Sequence, residues 1–126
     1  MTTPLYTATM HNHKDAMQLL IDNGADVDAK GEEGWETPIH IASYIGDIDT
    51  VQLLIDNRAS VNVVDKFGDT PLHDAITGGH PDIMELLIDN GANVNAVGRS
   101  GCTLLNFASA SDFADVVLLL RERGAE

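Results

Sequence analysis

The stretch that decides the fold is Gly68–Gly101, "GDTPLHDAITGGHPDIMELLIDNGANVNAVGRSG". Much of it has already been said upstream, over Glu36–Gly68, as "ETPIHIASYIGDIDTVQLLIDNRASVNVVDKFG". Two anchors set the period. Thr3-Pro4-Leu5-Tyr6, Thr37-Pro38-Ile39-His40, Thr70-Pro71-Leu72-His73 and Thr103-Leu104-Leu105-Asn106 follow one another at spacings of 34, 33 and 33 residues. Leu19-Leu20-Ile21-Asp22-Asn23-Gly24-Ala25 recurs in step, beginning again at Leu53, at Leu86 and, more loosely, at Leu118. Two independent anchors on one period identify a repeat architecture.

Each unit reads as helix, turn, helix, loop. In the third, Thr70 is a good N-cap and Pro71 takes the first helical position, where its missing N–H costs nothing. Leu72, Ala75 and Ile76 carry a short helix that Gly78-Gly79 breaks. Pro81 opens a second helix with Asp82 in its first turn, where the dipole favours negative charge. Ile83, Leu86 and Leu87 form its apolar stripe, and Asn90-Gly91 ends it. Neither helix buries its apolar face alone. Stacked copies do, and about three are needed for stability.

A unit of this length with "TPLH", a following Ala, Gly79-His80 at the turn and "ELLIDNGANVNA" resembles the ankyrin repeat. The resemblance covers essentially the whole chain and implies an all-α fold. The expected architecture is an ankyrin-repeat solenoid of four helix-turn-helix units joined by β-hairpin-like loops. It forms a single domain, residues 1–126, with repeats near 1–29, 30–63, 64–96 and 97–126. The departures are local. The first unit carries Thr7, Thr9 and Asn12, the polar positions expected of an outward-facing cap. The fourth has Leu104 for Pro, Asn106 for His, and no Gly-His in its turn "SASDFAD". Arg121 and Arg123 near its last helix end suit the helix dipole. By capping logic the stack reads as complete or nearly so. The first connection has two residues, Trp35-Glu36, between Gly34 and Thr37, where the next two have only Asp69 and Cys102. Asp74 stands where the family often has Leu and is expected to be satisfied or exposed.

Lys plus Arg number 7 against 20 Asp plus Glu, a formal net charge of -13. That surface repels phosphate backbones and anionic membranes, which argues against nucleic acid as a partner. No apolar run approaches the roughly 20 residues of a membrane span. "MTTPLYTATMHNHKDA" lacks the basic and apolar regions of a secretory signal. Cys102 is the one cysteine, so a disulfide framework is excluded and a reducing compartment fits. The expectation is a cytoplasmic or nuclear monomer.

Catalytic signals are thin. The resemblance implies that His40 and His73 tie neighbouring loops through their imidazoles and that His80 belongs to a turn. His11 and His13 lack a second ligand pair for zinc, and Cys102 has no CxxC partner. No GxGxxG and no phosphate loop is present. The chain is expected to be no enzyme and to need no cofactor or metal.

If the chain follows the family, partners sit on the concave face made by hairpin tips and first helices. The side chains expected to bind there are Trp35, Glu36, Tyr44, Ile45, Lys66, Phe67, Asp69, Thr77 and Arg99. Three of the six aromatics fall in this set, and clustered exposed apolar side chains mark interaction sites. The function implied is a non-catalytic protein–protein interaction module, with a basic partner surface favoured by charge. The alternatives are an acidic inhibitor or decoy blocking a basic site, and a segment of a larger ankyrin scaffold. The resemblance also places Asn62 and Asn95 in the slot of asparagine hydroxylation.

Overall fold

The computed structural model describes residues 3–110 and 113–125. Within them the chain runs through α1 (Pro4–Met10), α2 (Lys14–Asp22), α3 (Pro38–Ile45), α4 (Ile48–Asp56), α5 (Pro71–Gly78), α6 (Pro81–Asp89), a 3-10 turn (Arg99–Gly101), α7 (Leu104–Ala110) and α8 (Ala114–Glu122). The helices form four antiparallel pairs. The first helices α1, α3, α5 and α7 pack in one row, each on the next, and the second helices stand behind them. Ser111 and Asp112, in the fourth inter-helix turn, lie outside the described residues.

Start signals act as expected. Pro4, Pro38, Pro71 and Pro81 each hold a first-turn position, and Thr3, Thr37 and Thr70 precede the first three in extended backbone. Gly46 and Gly79 end α3 and α5 in left-handed backbone. The fourth unit caps itself differently: Thr103 N donates to Asn106 Oδ1 and Asn106 N donates to Thr103 Oγ1, each at 3.1 Å. The shorter amide thus does locally what histidine does in the middle repeats.

The core is aliphatic and runs the length of the stack. Leu5, Met17, Ile39, Leu54, Leu72, Ile76, Ile83, Leu87, Leu104 and Leu120 are fully buried. Fully burying such a side chain is worth about 1.5–3 kcal/mol. Thr9, expected on a polar outer face, is also fully buried; its hydroxyl donates to Leu5 O at 2.8 Å, so the polarity is satisfied inside the helix. In α6 it is Met84, with Ile83 and Leu87, that is buried, while Leu86 is only partly so.

The connections are hairpin-like rather than true strands. Each is closed by one backbone bond, Gly31 N to Glu36 O, Asp65 N to Asp69 O and Gly98 N to Cys102 O. A single antiparallel bridge, Val97 to Thr103, is present among the described residues. The first closure spans one residue more than the others, which locates the extra residue.

Side chains at the repeat period lace the units together. Asp28 Oδ1 accepts from Ser60 N at 3.0 Å. Asn62 Oδ1 accepts from Asn93 N at 2.8 Å, while its amide donates to Gly91 O at 3.0 Å. Asn95 donates to Gly124 O at 3.4 Å. The two asparagines in the hydroxylation slot are therefore parts of an inter-repeat ladder. No helix among the described residues is long and apolar enough to cross a membrane.

Candidate functional site

The first-helix face carries a groove of about 360 Å³ where α1, α3 and α5 meet. Tyr6 and Met10 line it from α1, and Ile41, Tyr44 and Ile45 from α3. Glu36 and Asp74 supply its carboxylates, one from the first hairpin and one from α5. Helical spacing explains the set. Ile41, Tyr44 and Ile45 stand three and four apart and share one face of α3, opposite the face that buries Ile39 and Ala42. Met10, Tyr44 and Ile45 are 49%, 56% and 39% exposed.

The field in the groove is negative. Burial pushes the Asp74 carboxyl up to about 8, helped by the charges of Asp65, Asp69 and Glu36 and opposed by Arg99. The Tyr6 hydroxyl is raised by burial and by Glu36 and Glu33. Asp74 was expected to be satisfied or exposed. It is neither: most of its surface is covered and no hydrogen bond or ion pair reaches it among the described residues.

A second cluster lies at the hairpin tips. Phe67 is 48% exposed. Lys66 Nζ stands 5.3 Å and Arg99 Cζ 4.6 Å from its ring centre, close enough for cation–π attraction. Arg99 is clamped from below by Asp69. Oδ2 accepts from Nε at 2.7 Å and from Nη2 at 2.6 Å, and Oδ1 accepts from Arg99 N at 3.0 Å. This corrects the reading of Asp69 as a contact residue. It is only 2% exposed, because the next hairpin folds over it and consumes both oxygens. Asp65 is likewise buried and closes its own turn, accepting from Phe67 N and Asp69 N.

Trp35 projects from the first hairpin, 50% exposed, with Lys30 Nζ 5.8 Å from a ring centre. Its backbone is the surprise. Trp35 has φ 62°, in the left-handed region. It occupies, two residues before the threonine, the slot that Gly68 (φ 85°) and Gly101 (φ 71°) fill in the later hairpins. A bulky residue there is held at a cost of about 1–2 kcal/mol.

Of the nine residues expected to bind a partner, the groove gathers Glu36, Tyr44 and Ile45. The tips gather Lys66, Phe67 and Arg99 over buried Asp69. Trp35 stands apart on the first hairpin. Thr77 is exposed but spends its hydroxyl on His73 O at 3.0 Å. Tyr6 and Asp74 were not expected. The signal for Asp74 was present, a carboxylate in a slot usually apolar. Tyr6 had none, because it reads simply as the first copy of the TPLH histidine.

Both those histidines are structural. Thr37 N donates to His40 Nδ1 at 3.1 Å, which leaves the ring proton on Nε2, and Nε2 donates to Asp69 O at 2.9 Å. His73 makes the same cap with Thr70, at 3.0 Å. His80 Nε2 is 3.0 Å from Tyr44 O and ties the third turn to the end of α3. No group of three or more His, Cys, Asp or Glu able to hold a metal occurs among the described residues.

A family model described as "Ankyrin repeats (3 copies)" matches residues 39–126, and a second, "Ankyrin repeats (many copies)", matches residues 5–55. The chain belongs to the ankyrin-repeat family. No curated protein matches it. Ankyrin repeats are in general protein–protein interaction modules.

Proposed function

We infer that the chain is a non-catalytic module that binds one partner protein through its concave face, across the α1/α3/α5 groove and the neighbouring hairpin tips. The observation that carries this reading is the groove itself. Met10, Tyr44 and Ile45 leave apolar surface open to solvent on one patch, next to two carboxylates that form no ion pair among the described residues. Packing of the stack does not require it, since the core is complete without these side chains. Trp35 supports the same reading. Strain concentrates at functional sites, and tryptophan is the side chain most enriched in binding hot spots. The negative field favours a basic partner surface and speeds its approach. The working picture is a monomer acting in the cytoplasm or nucleus, with no cofactor.

The test is affinity capture from native extract by the wild type beside a Trp35→Ala/Tyr44→Ala/Phe67→Ala variant whose fold is checked by circular dichroism. A protein held by the wild type and lost by the folded variant is the expected result. Equal capture by both overturns the assignment of this face. A second reading, an acidic inhibitor that blocks a basic site, draws on Glu36 and Asp74 facing the same groove; the captured partner's activity assayed with and without the chain separates it from passive docking.

A further inference from the structure

We propose that the α1/α3/α5 groove is a subsite for a single arginine side chain of an extended partner segment, with the aliphatic stem against Tyr44 and Ile45 and the guanidinium between Asp74 and Glu36. The proposal rests on the protein-binding reading above and names the chemistry at its centre. The volume, about 360 Å³, is that of a small ligand site. It admits a side chain and a little backbone, not a folded element. The walls ask for two kinds of contact at once. Ile41, Ile45 and Met10 want apolar atoms, whereas Glu36 and Asp74 want a cation. Arginine supplies both: three methylenes, then a planar fork that pairs with carboxylates and stacks on an aromatic face. Tyr44 offers such a face.

Among the described residues, five of the cations are engaged elsewhere. Arg99 is held by Asp69 and lies over Phe67, as does Lys66. Lys30 lies by Trp35, Lys14 pairs with Asp47 and Arg123 with Asp89.

Binding is coupled to a proton. With the groove empty, burial and the neighbouring Asp65, Asp69 and Glu36 hold Asp74 protonated to about pH 8, with Arg99 the opposing charge. His40, which lines the groove, and His73, next to Asp74 in the chain, are kept neutral by burial and add no charge at neutral pH. A guanidinium on Asp74 favours its ionised form, so the proton leaves as arginine enters and affinity rises with pH.

The test is amide NMR of the labelled chain titrated with acetyl-Leu-Arg-amide and with acetyl-Leu-citrulline-amide, which has the same shape without the charge. The arginine peptide is expected to move the resonances of Tyr44, Ile45 and Asp74 saturably and to bind at least about fivefold tighter than the citrulline peptide. Its affinity should rise between about pH 6.5 and 8.5, and Asp74→Asn should remove the pH dependence and reduce the preference to what Glu36 alone supplies, while leaving the remaining spectrum in place. Equal binding of the two peptides, or no shift at the groove, overturns the arginine subsite. If the peptides fail while partner capture still depends on Tyr44, the subsite alone falls. If capture is also indifferent to Tyr44, the protein-binding face falls with it.

Discussion

The junction between the second and third repeats and the junction between the third and fourth are written with the same Thr-Pro-X-His text but are held differently. At the first, His40 Nε2 donates onward to Asp69 O at 2.9 Å. At the second, His73 Nε2 closes no bond of ordinary geometry, although the Cys102 carbonyl is near enough to raise the ring's basicity somewhat. Two other contacts serve there instead. The His73 ring meets Phe107 edge-on at 5.0 Å, and Arg99 reaches back to Asp69. A repeat motif therefore sets its own cap, but the onward bond depends on the loop of the following unit.

The largest expected effect breaks the second junction. Asp69→Ala removes every acceptor holding Arg99 and leaves a void under the third hairpin; a loss of about 3 kcal/mol is expected in urea unfolding. If the fourth repeat loosens first, its amides exchange before those of α3 and α5. A change below about 1 kcal/mol would show that the clamp contributes little.

Next come the histidines. His40→Ala loses the cap and the onward bond, about 2–3 kcal/mol, and His73→Ala loses the cap and the Phe107 edge, about 1 kcal/mol less. Equal losses would erase the contrast between the junctions. Both rings have their basicity lowered by burial. The unfolded chain therefore takes up protons first, and stability falls as pH drops below about 6.5. His40→Ala should flatten that acid limb.

Asp74 has the opposite sign. Its folded carboxyl titrates at about 8, above its unfolded value, so its stabilising contribution is complete in acid and is lost as pH rises toward 8. Asp74→Asn is expected to raise stability at pH 8 by at least about 2 kcal/mol and to leave it nearly unchanged at pH 4, as read by thermal melts at the two pH values. A flat difference between them would place the carboxyl in solvent.

The smallest effects set two residues against each other. Arg58 (φ 68°) and Trp35 (φ 62°) both hold slots that the other repeats give to glycine. Arg58→Gly should stabilise by up to about 1 kcal/mol, since relief of the backbone outweighs an exposed side chain. Trp35→Gly should move stability by no more than about 1 kcal/mol, relief offsetting the lost contacts of the ring, yet should weaken partner capture while Arg58→Gly does not. Capture unaffected by Trp35→Gly would remove it from the interface.

Much of this protein was legible in its amino acids. The period, the Thr-Pro helix starts, the Gly and Asn-Gly stops and the aliphatic stripes are local or periodic signals. Local backbone preference and repetition specify them without knowledge of the neighbours, so helix pairs and family followed directly. The exposed aromatics Trp35, Tyr44 and Phe67 were also found, since framework packing gives no reason for them. What only the tertiary structure decided is pairwise and crosses repeats. Asp69 read as a tip residue and is buried, because whether a carboxylate faces water depends on where the next hairpin lays Arg99. Asp74 became an unpaired, protonated acid because helices on both sides desolvate it and three carboxylates lie near. Trp35 took a glycine's place because one extra residue shifted the turn. Spacing along a chain determines which side chains share a face; which of them meet, and at what electrostatic cost, is decided by the stacking of one unit on the next.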